Sequence, residues 1–262
     1  MKRLITGGVR MDDDGQFVVD YTYDYPDDLI HLVPPQIYRS SRRNHIYWFG
    51  YRFNDGVSSK KRTAFINYVR GIGDNVMPNR DLIQFIEYPL GELHKQISMY
   101  KIDAFVYPLS QRSQLVRKMM DVINGYSSRD VNRVNYEIVK SAPINIEFDW
   151  DLFEYDTGDD PNKHDQMKNY VDTVLMPAIH RLDYFSLAHN VKPKYRKYIK
   201  NFLHLSDKDI ERFAKMQGSN ILVVDDINTS GATIDEILRI LDKVNHDCNI
   251  FVYTLIGNDN EM

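Results

Sequence analysis

The chain has 262 residues, 43% of them hydrophobic, and a formal net charge of −4. That is enough apolar chain for one large domain or for a core carrying a cap, and the mild acidity argues against a surface built to hold polyanions. The lone Cys248 excludes an intrachain disulfide and a Cys-based zinc site, and no stretch approaches the roughly 18–20 apolar residues that span a bilayer.

The N-terminus carries no apolar signal run, so a reducing, cytoplasmic location and no membrane partner are expected. Within residues 1–98, the aromatic, alternating segments 17–23 and 45–53 predict antiparallel strands. Pro26, Pro34 and Pro35 mark loops between them, and 61–72 and 81–99 predict helices. This region is expected to be an appended α+β cap, with its aromatic residues serving as core.

Residues 99–262 read as the main domain. Ile102 to Pro108 predicts a strand and 109–113 a short polar loop. Leu115, Val116, Met119, Met120 and Ile123 predict the buried face of a helix ended by Asn124-Gly125. Strands are also expected at 136–140 and at 249–256.

Between them, a helical insertion is expected at about 147–217. Its first part, 147–165, carries Asp149, Asp151, Glu154, Asp156, Asp159 and Asp160 with the turn formers Gly158 and Pro161, which predicts a loop. Met167, Tyr170, Val171, Val174, Leu175 and Ile179 follow at helical spacing, with Pro177 expected to kink or break the helix. The basic, tyrosine-interleaved run 192–200 has the composition of a nucleic-acid contact. A solvated helix face is the preferred reading at this net charge, and a cationic cover for an active site is a third.

The most informative run is Ile221-Leu222-Val223-Val224-Asp225-Asp226-Ile227-Asn228-Thr229-Ser230-Gly231-Ala232-Thr233. Its apolar start is the composition of a strand buried on both faces of a parallel sheet, which puts the carboxylates at the sheet's carboxyl end. Thr229, Ser230, Gly231, Ala232 and Thr233 are small enough for their N–H groups to surround an anion. Ile234, Ile237, Leu238 and Leu241 then recur at helical spacing, so the turn opens a helix, where free N–H groups and the dipole favour phosphate. Two carboxylates beside such a cradle need hydroxyls or a divalent cation as partners. A nucleotide P-loop is excluded by the absence of its Gly-Lys-Ser/Thr sequence.

This run resembles the phosphoribosyl pyrophosphate (PRPP) motif of the type I phosphoribosyltransferases, nearest in flavour to their orotate and competence-type members. The resemblance implies an α/β fold: a mainly parallel β-sheet flanked by helices, with the N-terminal α/β region appended. It implies that Asp225 and Asp226 hold the ribose hydroxyls and a Mg2+ ion, that Thr229, Ser230, Gly231, Ala232 and Thr233 bind the 5′-phosphate, and that Asp225, Asp226 and Thr229 carry the catalysis. Pyrophosphate would be bound by the loop Ser110, Gln111, Arg112 and Ser113, with Lys140 as a further contact.

The implied activity is pentosyl transfer from PRPP to an unidentified, nucleobase-like nitrogen acceptor with release of pyrophosphate. Thr229, where the hypoxanthine/guanine enzymes carry aspartate, argues against a 6-oxopurine acceptor. Two alternatives stand beside it: a PRPP- or nucleotide-binding regulatory module without turnover, and a nucleic-acid-associated protein. A homodimer is open. In this family a mobile loop closes over the site, and the lysine-poor 147–165 stretch is an odd candidate for it.

Overall fold

A computed structural model describes residues 8–11, 17–20, 30–32, 38–39, 45–53, 56–109, 113–126, 133–158, 161–228 and 231–257. In chain order the elements begin with β1 (Gly8–Met11), β2 (Phe17–Asp20), β3 (Ile30–Leu32), β4 (Tyr38–Arg39), β5 (Ile46–Phe53), α1 (Ser59–Arg70) and α2 (Asn79–Tyr100). Then come β6 (Ala104–Pro108), α3 (Leu115–Tyr126), β7 (Val134–Lys140), β8 (Glu147–Phe148), α4 (Trp150–Thr157), α5 (Pro161–Tyr170), α6 (Met176–His180) and α7 (Leu187–Asn190). The chain continues through β9 (Ile199–Lys200), β10 (Leu203–His204), α8 (Asp207–Phe213), β11 (Asn220–Ile227), α9 (Ala232–Val244) and β12 (Asn249–Gly257). No described helix is long and apolar enough to cross a membrane.

The chain divides into two compact units: Met1–Glu137 with Met216–Thr229 and Asp247–Met262, and Ile138–Lys215 with Ser230–His246. In the first unit the sheet order is β7-β6-β11-β12-β5-β3-β1-β2, with β4 also on β5. β6, β11, β12 and β5 run parallel, while β3 and β4 join β5 antiparallel. Ile221, Leu222, Val223 and Val224 are fully buried, as a central strand covered on both faces requires.

The N-terminal region is therefore not an appendage to this sheet. Its strands β1 to β5 pair antiparallel as expected, but β5 also pairs in parallel with β12, Tyr253 opposite Trp48, so the expected boundary at 98/99 falls inside the first unit. The aromatic residues are core, as expected: Tyr51 stacks on Phe85 at 4.2 Å and Trp48 on Phe251 at 5.4 Å. On α2, Leu82, Phe85, Ile86, Leu90, Leu93 and Ile97 bury one helical stripe. α1 ends where Gly71, at φ 70°, turns its N–H back to Asn67 and Tyr68, a left-handed cap that glycine adopts without strain. α3 runs past Asn124-Gly125 to Tyr126, so that pair does not stop it.

In the second unit, β10 pairs antiparallel with the end of β7, and β8 pairs antiparallel with β9. The acidic stretch is not a loop, since its described residues fold into β8, α4 and α5. α4 is capped by Asp149, whose side chain accepts from Leu152 N–H, a use of aspartate that composition alone reads as a turn signal. Ahead of Pro177, Val171–Leu175 form a π turn, and the helix resumes as α6. Proline removes an N–H there, and the wider turn accommodates the break.

The basic run forms a 3₁₀ turn, Pro193–Tyr198, followed by β9. Its cations face the acidic stretch: Lys197 meets Asp156 at 2.5 Å, Lys200 lies 3.6 Å from Asp149, and Tyr198 donates to Asp156 at 3.1 Å. Arg196 donates to the carbonyls of Val191 and Ala188.

Candidate functional site

Parallel sheets bind ligands at the carboxyl ends of their strands, where neighbouring strands are followed by connections that diverge to opposite sides. β6 and β11 are such neighbours: β6 leads to β7 on one flank and β11 leads to β12 on the other. Their register sets Val223 beside Val106. Two residues further on, Asp225 reaches the level of Pro108, where the chain enters the segment 109–113.

Alternation along β11 separates the two carboxylates. Leu222 and Val224 pack in the cluster that also holds α1, α2 and α3, and Asp226 continues that face. Asp225 follows Ile221 and Val223 on the other. Both are buried, at 5% and 4% exposure.

Asp226 is held by Arg70, the last residue of α1: Nε donates to Oδ2 at 2.7 Å and Nη2 to Oδ1 at 2.5 Å. This two-bond fork matches the planar carboxylate. Burial opposes the charge on Arg70, but the attraction and hydrogen bonds of Asp226, with Asp225 behind, outweigh it and raise the arginine's pKa.

Among the described residues Asp225 forms no such ion pair of its own. Its Oδ1 accepts from the Asp226 N–H at 2.8 Å. Burial first, and then the charge of Asp226, push its carboxyl up to about 8. One carboxylate is thus gripped by a guanidinium, and the other is poised to hold a proton near neutrality.

The remaining expected residues are distributed as follows. Thr229, Ser230, Ser110, Gln111 and Arg112 lie outside the described residues. Gly231 opens α9 at φ 71° and, as a glycine, offers no capping side chain of its own; Ala232 and Thr233 form the first turn of that helix. Ser113 is buried, and its Oγ accepts from the N–H of Leu115 at 3.2 Å at the start of α3. Lys140 donates to the Tyr184 hydroxyl at 2.6 Å and the Phe185 carbonyl at 2.9 Å, contacts internal to the second unit.

Two residues were not foreseen. Arg70 reaches Asp226 across 156 positions of sequence, and no local pattern announces it. Thr254, paired in register with Asp225, is fully buried, and its hydroxyl has no hydrogen-bond partner among the described residues. The only available signal was a polar residue in the apolar run of β12. Among the described residues no group of three or more His, Cys, Asp or Glu is gathered to hold a metal ion.

No family model and no curated protein sequence matches this chain. Solved structures similar to it include a hypoxanthine phosphoribosyltransferase from Staphylococcus aureus, at 11% identity and a TM-score of 0.36, over 68% of this chain and 66% of that one. An adenine phosphoribosyltransferase from Saccharomyces cerevisiae is similar at 15% identity and a TM-score of 0.34, over 68% and 70%. So is a Neisseria gonorrhoeae protein with bound ppGpp, at 14% identity and a TM-score of 0.33, over 69% of each chain. The chain thus spans just under two thirds of the staphylococcal enzyme. The first two are type I phosphoribosyltransferases, the family that the 221–233 run resembles. These likenesses are distant, and the reading of the site rests on its own geometry.

Proposed function

We propose that this protein binds PRPP with Mg2+ and transfers the phosphoribosyl group to a nucleobase-like nitrogen acceptor, releasing pyrophosphate. The observation that carries this reading is the pair of buried carboxylates on β11, at the point where the connections from β6 and β11 diverge. The carboxyl end of a parallel sheet at such a divergence, carrying one perturbed acid, is where a ligand site is expected.

Each residue then has a chemical task. Asp225 and Asp226 accept hydrogen bonds from the ribose hydroxyls and fix the sugar while the anomeric carbon gains oxocarbenium character. Thr229, Ser230, Gly231, Ala232 and Thr233 are assigned the 5′-phosphate, and Ser110, Gln111, Arg112 and Ser113 the pyrophosphate. Catalysis of this kind is electrostatic and needs no side-chain nucleophile.

The donor set fits a Mg2+ ion that arrives on phosphate oxygens better than a resident one. Both Asp226 oxygens are engaged by Arg70, so Asp225 would meet such an ion, giving up the proton that burial favours in the free protein; Mg2+ commonly keeps one or two carboxylates with substrate phosphates. When bound, it would neutralise charge on the leaving group.

A second reading, a PRPP- or nucleotide-binding module without turnover, is favoured by one observation. Lys197 and Lys200 are engaged by Asp156 and Asp149, so two cations of the run that offered a cationic cover as its third reading are held by carboxylates of the acidic stretch. The same pairs weigh against a nucleic-acid contact through this run. Pyrophosphate release measured against a panel of nucleobases separates the first two readings. Release that saturates with one base supports the transferase, and PRPP binding without release for any base supports the module.

A further inference from the structure

We propose that Arg70 is a leaving-group cation of the site, additional to the 110–113 loop, bridging Asp226 and the pyrophosphate of the bound ligand. This rests on the PRPP reading above and assigns to it a residue from the N-terminal region, outside the 221–233 motif.

Three observations place Arg70 there. First, Asp226 lies on the face of β11 shared with α3, and α3 is the helix entered from the segment 109–113 that follows β6. Leu109, the residue that follows β6, packs against the same cluster as Leu222 and Val224, so Arg70 sits on the side where the pyrophosphate loop begins.

Second, the guanidinium is only partly spent. Two N–H groups hold Asp226, and Asp226 is the partner found for Arg70 among the described residues. A guanidinium has further donors beyond those two, and the side chain remains 31% exposed. A fork locked on one edge by a buried carboxylate presents its other edge with little conformational freedom left to lose. That is a pre-organised donor for a phosphate oxygen.

Third, three other cations considered for this region are engaged elsewhere, while Arg112 lies outside the described residues. Lys140 is bound to Tyr184 and Phe185, and Lys197 and Lys200 to aspartates.

As the bond from the anomeric carbon to pyrophosphate breaks, its electron pair leaves on the pyrophosphate oxygen, and negative charge grows there. A fixed guanidinium on that side stabilises the departing group. The proton on the acceptor nitrogen is lost to solvent or a base, and Arg70 gives up none.

The test is calorimetric titration of Mg2+ with PRPP, with inorganic pyrophosphate and with ribose 5-phosphate, into wild type, Arg70→Gln and Arg70→Lys. The expected result is a loss of about tenfold or more in affinity for PRPP and pyrophosphate in Arg70→Gln, with ribose 5-phosphate affinity nearly unchanged. Arg70→Lys, which keeps the charge and guards against a misfolded glutamine variant, should weaken pyrophosphate binding severalfold because it loses the fork. Wild-type pyrophosphate affinity in either folded variant, or an equal loss for both partial ligands, overturns the role of Arg70 while leaving PRPP binding intact. A wild type that binds neither PRPP nor ribose 5-phosphate overturns the functional reading, and this proposal with it.

Discussion

Two sets of aspartates in this chain meet cations, and their surroundings give them different work. At the end of β11, Asp226 is 6% exposed at its side chain and is gripped through two bonds by Arg70. In the second unit, Asp156 and Asp149 meet Lys197 and Lys200 on a wetter surface, with side-chain exposures of 18%, 22%, 46% and 26%. Water screens the second set, so each pair there contributes little and chiefly neutralises an acidic run. Burial makes the first set costly to break, and it controls the proton of a second carboxylate. The same residue types thus balance a wet surface in one place and anchor a buried carboxylate in the other, and burial decides which.

The largest effect that breaks this contrast is Arg70→Gln, which leaves Asp226 buried without its cation. Urea unfolding should show a loss of about 3 kcal/mol, the lower end for a broken buried pair because Arg70 is partly exposed. A loss equal to that of Lys197→Ala would erase the distinction.

Next comes pH. A carboxyl raised from an unfolded value near 3.9 to about 8 binds a proton in the folded state that the unfolded chain has released. Its stabilising effect is fully present below about pH 4 and is lost as pH rises toward 8, a fall of up to a few kcal/mol. Asp225→Asn should flatten that slope in unfolding experiments between pH 5 and 8, whereas Asp156→Asn should leave it in place.

Thr254→Val tests the polar atom beside Asp225. Removing a buried hydroxyl that has no partner among the described residues should leave stability unchanged or raise it by about 1 kcal/mol. The smallest effect is Lys197→Ala, expected to cost about 0.5 kcal/mol and to lose even that at high salt.

What could be read from the sequence was local. Ile221 to Val224 announced a buried strand, the 115–123 stripe announced α3, and both are set by periodicities of a few residues. The acid pair and the glycine opening α9 were legible because strand, turn and helix chemistry follow one another without interruption. The pairing of β5 with β12 was not legible, because a parallel neighbour is chosen by the whole sheet and not by either strand's pattern. The 147–165 stretch misled for a related reason. α5 buries no residue, so it lacks an apolar stripe, and the lysines that balance α4 arrive some forty positions later, Tyr198 and Asp156 being 42 apart. Arg70 was hidden by the same distance: an arginine at a helix end reads as solvent-facing until the fold delivers a buried carboxylate to it.

The central claim is that the β11 carboxylates form a PRPP site. It is tested most directly by calorimetric titration of PRPP with Mg2+ into the wild type and into Asp225→Asn/Asp226→Asn. Saturable binding is expected in the wild type, with its loss in a double variant that remains folded. Wild type that fails to bind, or a folded double variant that binds as tightly, would contradict it.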